Sequence, residues 1–343
     1  MITLNENDRI LIVRLTALGD CIHTIPLACA IKKAFPNIYI GWAVSDKCKD
    51  VILNNPVVDK VHIIPKKDSK GYIEAIKEIK KEGYTVAIDS QELLKSALVS
   101  FLSGAKTRIA HDKSREFSFL FANKKLDFVP IFDLERHVIE RNLDFVKALG
   151  IKNPQIEFEL PQTSNEDDIY VSELLQDLDK SKKTVVLAPM TTWITKFWTK
   201  EAWAGVIKFL SDKVNIVVTG GKNDIDYVKD ILSLSGESKV INLVGKTNLL
   251  QLKAVFEKSD ILITPDSGSA HLGSAIENLI VICLFGATSK VRNAAYGVNN
   301  KNISCNLDCQ PCYKKRCKYK EGIPDCMSGI SVETVVATLK DLI

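Results

Sequence analysis

The 343-residue sequence contains no apolar run approaching the roughly 18 residues a membrane span requires, and its longest candidates, such as Val185–Met190, are strand-sized. The first residues, Met1 to Asp8, have neither the basic start nor the apolar core of a signal peptide, so a cytoplasmic protein is the expectation. Low-complexity tracts and convincing internal repeats are absent as well. Charge of one sign is scarce: 46 Lys+Arg stand against 42 Asp+Glu, and a net charge of +4 is too mild to argue for duplex DNA binding. Glycine is missing where a dinucleotide would need it. The first β-like run, Arg9–Leu15, opens into Thr16–Thr24 with Gly19 alone, and a Gly-x-Gly-x-x-Gly fingerprint is required for nicotinamide chemistry. An NAD-dependent dehydrogenase is therefore disfavoured.

What is present is an ordinary globular composition, 46% hydrophobic and 26% charged. At about 150 residues per domain the length suggests two domains. Strand-sized runs at Arg9–Leu15, Ile38–Val44, Val61–Ile64, Thr85–Asp89 and Thr107–Ala110 are separated by helical patterns at Ile25–Phe35, Ile73–Lys81 and Gln91–Leu102. The stretch Ser114–Leu149 is more polar and reads as mostly helical. Asn153-Pro154, Pro161 and the polar Gln162–Asp168 mark the boundary, giving domains at 1–160 and 161–343. Alternation restarts beyond it, with strands at Thr184–Met190, Asn215–Thr219, Val240–Val244, Asp260–Thr264 and Val281–Phe285. Helices are expected between them at Lys200–Leu210, Asp224–Leu234, Leu249–Lys258 and Ser269–Glu277, and at the end over Val332–Ile343. This pattern predicts an α/β chain of two parallel sheets whose strand ends face a common cleft.

Four constellations could carry chemistry. Asp20 lies at the mouth of the first sheet, where a carboxylate suits either an N-cap or catalysis. Thr191, Thr192 and Lys196 follow the first strand of the second half, and two hydroxyls with a point charge suit a phosphate; an exposed loop is the plainer alternative. Asp266-Ser267-Gly268-Ser269-Ala270-His271 follows another strand, with small residues at an expected helix N-terminus that would admit an anion; a capped helix with a buried His is its alternative. Nine cysteines include five between Cys305 and Cys326. The Cys309-x2-Cys312 pair has the spacing of a zinc or iron site, which Cys317 and Cys326 could complete as a structural site. Cys21, Cys29, Cys48 and Cys283 read as buried small apolar residues. The run Lys314–Lys320 suits an anionic surface or a solvated loop, and lacks the aromatic interleaving of a nucleic-acid binder.

These pieces, in their order, resemble the ADP-heptose:lipopolysaccharide heptosyltransferases of glycosyltransferase family 9. The matching residues are Ile10–Arg14 with Gly19-Asp20 and His23-Thr24-x-Pro26; Ile88-Asp89-Ser90-Gln91 with Lys95-Ser96; Ser114-Arg115-Glu116; and His137-x-x-Glu140-Arg141. The second half adds Thr191-Thr192 with Lys196-x-Trp198, and Asp266-Ser267-Gly268-x-x-His271, where Ser267 stands in the family's threonine position. The resemblance implies a GT-B fold of two Rossmann-like domains, the first binding acceptor and the second the ADP-sugar. It implies inverting transfer of heptose from ADP-heptose to the inner core of lipopolysaccharide (Kdo-lipid A or a heptosylated core), with Asp20 as general base and no cofactor. Donor contacts fall on Thr191, Thr192, Lys196, Asp266, Ser267, Gly268 and His271, and Asn223 or Asp224 occupies the place of a ribose-contacting glutamate. Lys95, Arg115, Arg136, His137 and Arg141 are the cations expected to hold the anionic acceptor. The middle segment is similar to the first heptosyltransferase and the cysteine-rich tail to the second. A lipid acceptor implies peripheral contact with the cytoplasmic face of the inner membrane. Use of another nucleotide-sugar or a protein acceptor, or a non-catalytic relative, are the competing readings.

Overall fold

The computed structural model describes all residues except 1, 3, 128, 131–133 and 237. The chain divides into two units, Met1–Gln162 and Thr163–Ile343. In the first, strands β1 (Arg9–Val13), β2 (Tyr39–Ser45), β3 (Lys60–Ile64), β4 (Val86–Asp89), β5 (Thr107–His111) and β6 (Lys124–Leu126) form one sheet in the order β3-β2-β1-β4-β5-β6. The second sheet is built from β7 (Thr184–Leu187), β8 (Asn215–Val218), β9 (Ile241–Asn242), β10 (Ile261–Pro265), β11 (Ile280–Phe285) and β12 (Lys301–Ser304), in the order β12-β11-β10-β7-β8-β9. Every strand pair is parallel. Both sheets thus have the doubly wound order in which two halves diverge from a central pair of strands, β1/β4 in the first unit and β7/β10 in the second. Ligands of such sheets bind beyond the carboxyl ends of that pair, where the chain reverses its direction of winding.

Crossover helices explain the parallel pairing. The first unit holds α1 (Leu18–Ile22), α2 (Ile25–Ala34), α3 (Ser69–Lys81) and α4 (Leu94–Leu102) between its strands and α5 (Val138–Ala148) after them. The second holds α6 (Asn165–Leu174), α7 (Lys200–Leu210), α8 (Ile225–Ser235), α9 (Leu249–Glu257), α10 (Gly268–Ser274), α11 (Asp325–Ser328) and α12 (Val332–Lys340). Central strands covered on both faces need continuous apolar runs, and Ile10 to Val13 are fully buried. The second core gathers Trp198 and Trp203, edge-to-face at 5.1 Å, with Met327, Ile330 and Val335 from the C-terminal segment.

Three segments depart from the sequence expectation. Helix α4 begins at Leu94 rather than Gln91, because Glu92 takes a left-handed backbone (φ 59°) and the Ser96 hydroxyl caps the Leu93 N–H. Ser114–Leu149 is not mostly helical: consecutive left-handed residues Glu116 and Phe117 break the chain into a short 3-10 segment, and β6 adds an edge strand before α5. Residues 128 and 131–133 of that stretch lie outside the described ones. The polar boundary segment folds into α6, whose N-cap Ser164 accepts the Asp167 N–H at 3.1 Å and whose first turn is acidic, as a helix dipole favours.

Candidate active site

In the first unit the two loops at the strand crossover are tied together. Beyond β1, the side-chain oxygen of Gln91 accepts the N–H groups of Leu15 at 2.6 Å and Thr16 at 3.1 Å. Gln91 is itself fixed by Asp89, whose Oδ1 accepts the N–H groups of Gln91 and Glu92. The Arg14 guanidinium donates to the Ser90 carbonyl and pairs with Asp20 at 2.9 Å. Asp20 sits in the first turn of α1, and its second oxygen accepts the Ala17 N–H at 3.1 Å. The N-cap of α1 is Ala17 and not Asp20, which caps from the N3 position instead, and the carboxylate stays presented: the Asp20 side chain is 38% exposed while Arg14 beneath it is 9% exposed.

In the second unit the corresponding loops, after β7 and β10, converge on Asp266. Its buried carboxylate accepts from Lys196 Nζ at 2.7 Å, the Thr288 hydroxyl at 2.6 Å and His271 Nε2 at 3.2 Å. Burial alone would raise this carboxyl, but the His271 hydrogen bond and the Lys196 charge outweigh it and hold it well below the usual range. Lys196 also lies 4.7 Å above the Trp193 ring. The Thr191 hydroxyl donates to the Asp266 carbonyl at 3.4 Å, and Thr192 beside it is exposed. Ser267 is the N-cap residue of α10 and shares a 3.1 Å hydroxyl contact with Thr264; Gly268 opens the helix. Because α10 has only seven residues, its dipole is a small contribution, and Lys196 is the principal cation of this end. Gly286 allows the arrangement, since a Cβ there would meet the Thr195 carbonyl oxygen at 2.7 Å, next to Lys196. Asp224 accepts the Gly221 N–H at 2.7 Å and is absorbed by its own turn, whereas Asn223 is exposed.

The five cations expected to meet an acceptor separate into two groups. Lys95 and Arg115 are exposed. Arg141 is buried and pairs with Glu92 at 2.5 Å, and Glu92 also meets His111 Nδ1 at 2.5 Å. Arg136 grips both oxygens of Asp144 at 3.0 Å, and His111 and Arg136 bring that carboxyl down to about 2 against the opposing effect of burial. His137 is buried as the N-cap of α5, its Nδ1 accepting the Ile139 N–H at 3.1 Å. These three thus contribute to the frame of the unit, with Arg141 and Arg136 already neutralised by carboxylates.

The metal expectation is corrected. Among the described residues no group of three or more His, Cys, Asp or Glu side chains is placed to hold an ion. Cys309 and Cys312 are exposed and Cys317 half-buried, whereas Cys326 is buried on α11 within the apolar core. Burial, reinforced by the neighbouring cysteines, pushes the Cys326 thiol up to about 12. Cys305 turns its sulfur to the Cys326 carbonyl at 3.4 Å. Cys21, Cys29, Cys48 and Cys283 are buried, as expected.

The chain matches a known family model, glycosyltransferase family 9 (heptosyltransferase), over residues 73–322. The chain belongs to glycosyltransferase family 9. OpsX, a lipopolysaccharide core heptosyltransferase of Haemophilus influenzae, is 25% identical to this family 9 enzyme over 346 residues, covering 96% of each chain. Lipopolysaccharide heptosyltransferase 1 of Campylobacter coli is 28% identical over 356 residues, covering 97% of this chain and 98% of its own. Escherichia coli heptosyltransferase WaaC, solved with ADP-2-deoxy-2-fluoro heptose, shares the fold with a TM-score of 0.72 at 22% identity, over 97% of this chain and 99% of that one. The fold is GT-B, two Rossmann-like α/β units in one glycosyltransferase chain. Among the described residues no helix is long and apolar enough to cross a membrane. Residues that sequence reasoning overlooked are Thr288, Glu92, His111 and Asp144, which anchor others by hydrogen bonds from distant parts of the chain.

Proposed function

We propose that this family 9 enzyme transfers heptose from ADP-heptose to the inner core of lipopolysaccharide, on Kdo or the first heptose, with inversion at the anomeric carbon. The second unit takes the ADP-sugar and the first the acceptor. The observation that carries the reading is the Asp20 carboxylate, presented to solvent at the crossover of the first sheet on a loop fixed by Arg14 and Gln91. In this reading an acceptor hydroxyl attacks the anomeric carbon and gives its proton to Asp20 as the new C–O bond forms. The bond from that carbon to the phosphate oxygen breaks with its electron pair, and ADP leaves. Lys196, steadied by Asp266, meets the charge developing on the leaving pyrophosphate, aided by the Thr191 and Thr192 hydroxyls and the backbone at Ser267 and Gly268. Asn223, exposed beside the loop after β8, takes the ribose contact. His271 supports the site through Asp266, and Lys95 and Arg115 supply charge for the carboxylates and phosphates of the acceptor.

The testing experiment is a mass-spectrometric transfer assay with ADP-heptose and Kdo-lipid A, run on the wild type and Asp20→Ala. A heptose-sized mass gain with release of ADP is expected from the wild type. The variant should lose at least about a hundredfold in turnover, as removal of a general base does, while its affinity for ADP is unchanged. Wild-type-like turnover in Asp20→Ala would remove Asp20 from the mechanism. No transfer despite ADP-heptose binding would overturn the acceptor.

A further inference from the structure

Five of the seven residues from Lys314 to Lys320 are Lys or Arg, and the proposed function leaves them without a role. The segment that carries them is fastened to the second unit where its donor loops emerge. The Gln310 amide donates to the carbonyls of Phe285 at 3.2 Å and Gly286 at 2.7 Å, at the end of β11. The Tyr313 N–H donates to the Ala287 carbonyl at 2.8 Å, and the Lys314 carbonyl accepts the buried Thr195 hydroxyl at 2.6 Å. Ala287 and Thr195 are the chain neighbours of Thr288 and Lys196, the two residues that share one oxygen of Asp266. The anchors are backbone groups and uncharged side chains, so the cations of the segment are not what holds it in place.

Those cations point different ways. Lys320 pairs with Asp325 at 2.6 Å, and Lys318 lies 4.6 Å from the centre of its neighbour Tyr319. Lys315 instead reaches the donor loop: its Nζ lies 5.8 Å from the centre of the Trp193 ring, which Lys196 approaches to 4.7 Å. Two ammonium groups gathered at one indole repel each other, and an anion that meets both removes that repulsion. Their surroundings differ as well. Lys196 is already compensated by Asp266, so that pair carries no net charge. Among the described residues no carboxylate lies within ion-pair distance of Lys315. Both phosphates of a nucleotide-sugar are ionised at neutral pH, and a compensated lysine by itself leaves their charge unmatched. The exposed Lys315 stem can follow the anion, while the anchored backbone fixes where that stem begins.

We propose that Lys315 binds the diphosphate of the nucleotide-sugar together with Lys196, the two cations meeting it beside the Trp193 ring. The inference rests on the proposed ADP-sugar donor. It adds a binding residue from beyond β12, and it gives the basic segment its purpose.

The test is calorimetric titration of the full chain with ADP, and with adenosine in competition, for the wild type, Lys315→Met and Lys318→Met. Lys315→Met should bind ADP about tenfold more weakly, as loss of a charge-assisted contact does, and adenosine with wild-type affinity. The deficit should shrink as salt is raised, because exposed charges are screened. Lys318→Met removes the same charge from the same segment and should keep ADP affinity within about twofold of wild type. Both side chains are exposed, so both variants should melt at the wild-type temperature. ADP affinity within about twofold of wild type in Lys315→Met would overturn the proposal. So would an equal loss in Lys318→Met, which would reduce the effect to the general field of a basic segment, or an equal loss for adenosine, which would mean that the nucleoside site had been disturbed. Absence of ADP binding by the wild type would overturn the proposed function and this inference with it, whereas ADP binding that does not depend on Lys315 overturns the inference alone.

Discussion

Asp266→Asn isolates the electrostatic core of the second unit. The carboxylate has two oxygens and three donors: Lys196 and Thr288 on one, His271 on the other. An amide offers one oxygen and one NH2 group. Turning the NH2 toward His271 is the cheaper arrangement, because imidazole can change tautomer and accept, whereas an ammonium cannot. Lys196 then keeps a hydrogen bond and loses its counter-charge. Breaking a buried ion pair costs about 3–5 kcal/mol, and the surviving hydrogen bond places this change at the lower end. For a unit of this size each kcal/mol moves the midpoint by about 2–4 °C, so a loss of roughly 6–12 °C is expected by thermal melting at pH 7. The folded pKa of Asp266 lies below its unfolded value, so its contribution is complete above the ordinary carboxylate range and is lost as pH falls through the folded value. The difference between wild type and variant should therefore narrow in acid. Combining the change with Lys196→Met should cost less than the sum of the two single changes, because the stranded charge is gone. Additive costs, or a midpoint within about 2 °C of wild type at pH 7, would show that the pair does not hold the site as argued.

Two further outcomes follow from the first unit. Asp89, fully enclosed at the end of β4, is pushed up to about 7 by burial, despite hydrogen bonds from Glu92, Ser96 and Gln91. Its folded form binds a proton that the unfolded chain has already released, so stability should decline as pH rises from about 4 to 7. Asp89→Asn keeps an acceptor for the two N–H groups and should flatten that decline in melting curves across pH, a gain of at most about 4 kcal/mol at pH 8; parallel curves for the two proteins would refute it. Gln91→Ala strands the Leu15 and Thr16 N–H groups and loosens the loop that carries Asp20. Steady-state kinetics should show kcat reduced by about tenfold or more with donor KM unchanged, and kcat within about twofold of wild type would deny Gln91 its positioning role.

The legibility of the chain followed the length scale of each signal. Buried parallel strands such as Ile10–Val13 and Val281–Phe285 declare themselves because both of their faces need apolar residues. The edge strands β6 and β12 do not, unlike the edges β3 and β9: β12 is half-exposed and β6 mostly exposed, and their composition resembles loop. Donor-side candidates were readable because they lie within a few residues of strand ends, which sequence order preserves. The anchors of those candidates were not. Thr288 reaches Asp266 from beyond β11, and Glu92, His111 and Arg141 meet across three elements, pairings that no local spacing records. The cysteine spacing misled for the complementary reason. Adjacency in sequence does not record that Cys326 is buried in the apolar core while Cys309 and Cys312 are exposed.

The two units place one carboxylate and one cation at the same topological position and then invert which of them is presented. In the first, Arg14 is sunk to 9% exposure and Asp20 stands at 38%. In the second, Asp266 is sunk to 2% and Lys196 stands at 13%. An ion pair with one buried member offers the chemistry of the other: the buried partner sets orientation, and in the proposed function the less buried one meets the ligand. A presented carboxylate can take a proton from a hydroxyl, and a presented ammonium can receive the charge of a departing phosphate. Under the proposed function that asymmetry gives each Rossmann-like sheet its own task, proton acceptance in the first unit and stabilisation of the leaving group in the second. It also predicts the direction in which each site fails. Loss of Arg14 should leave Asp20 present but unoriented, whereas loss of Asp266 should leave Lys196 present but uncompensated.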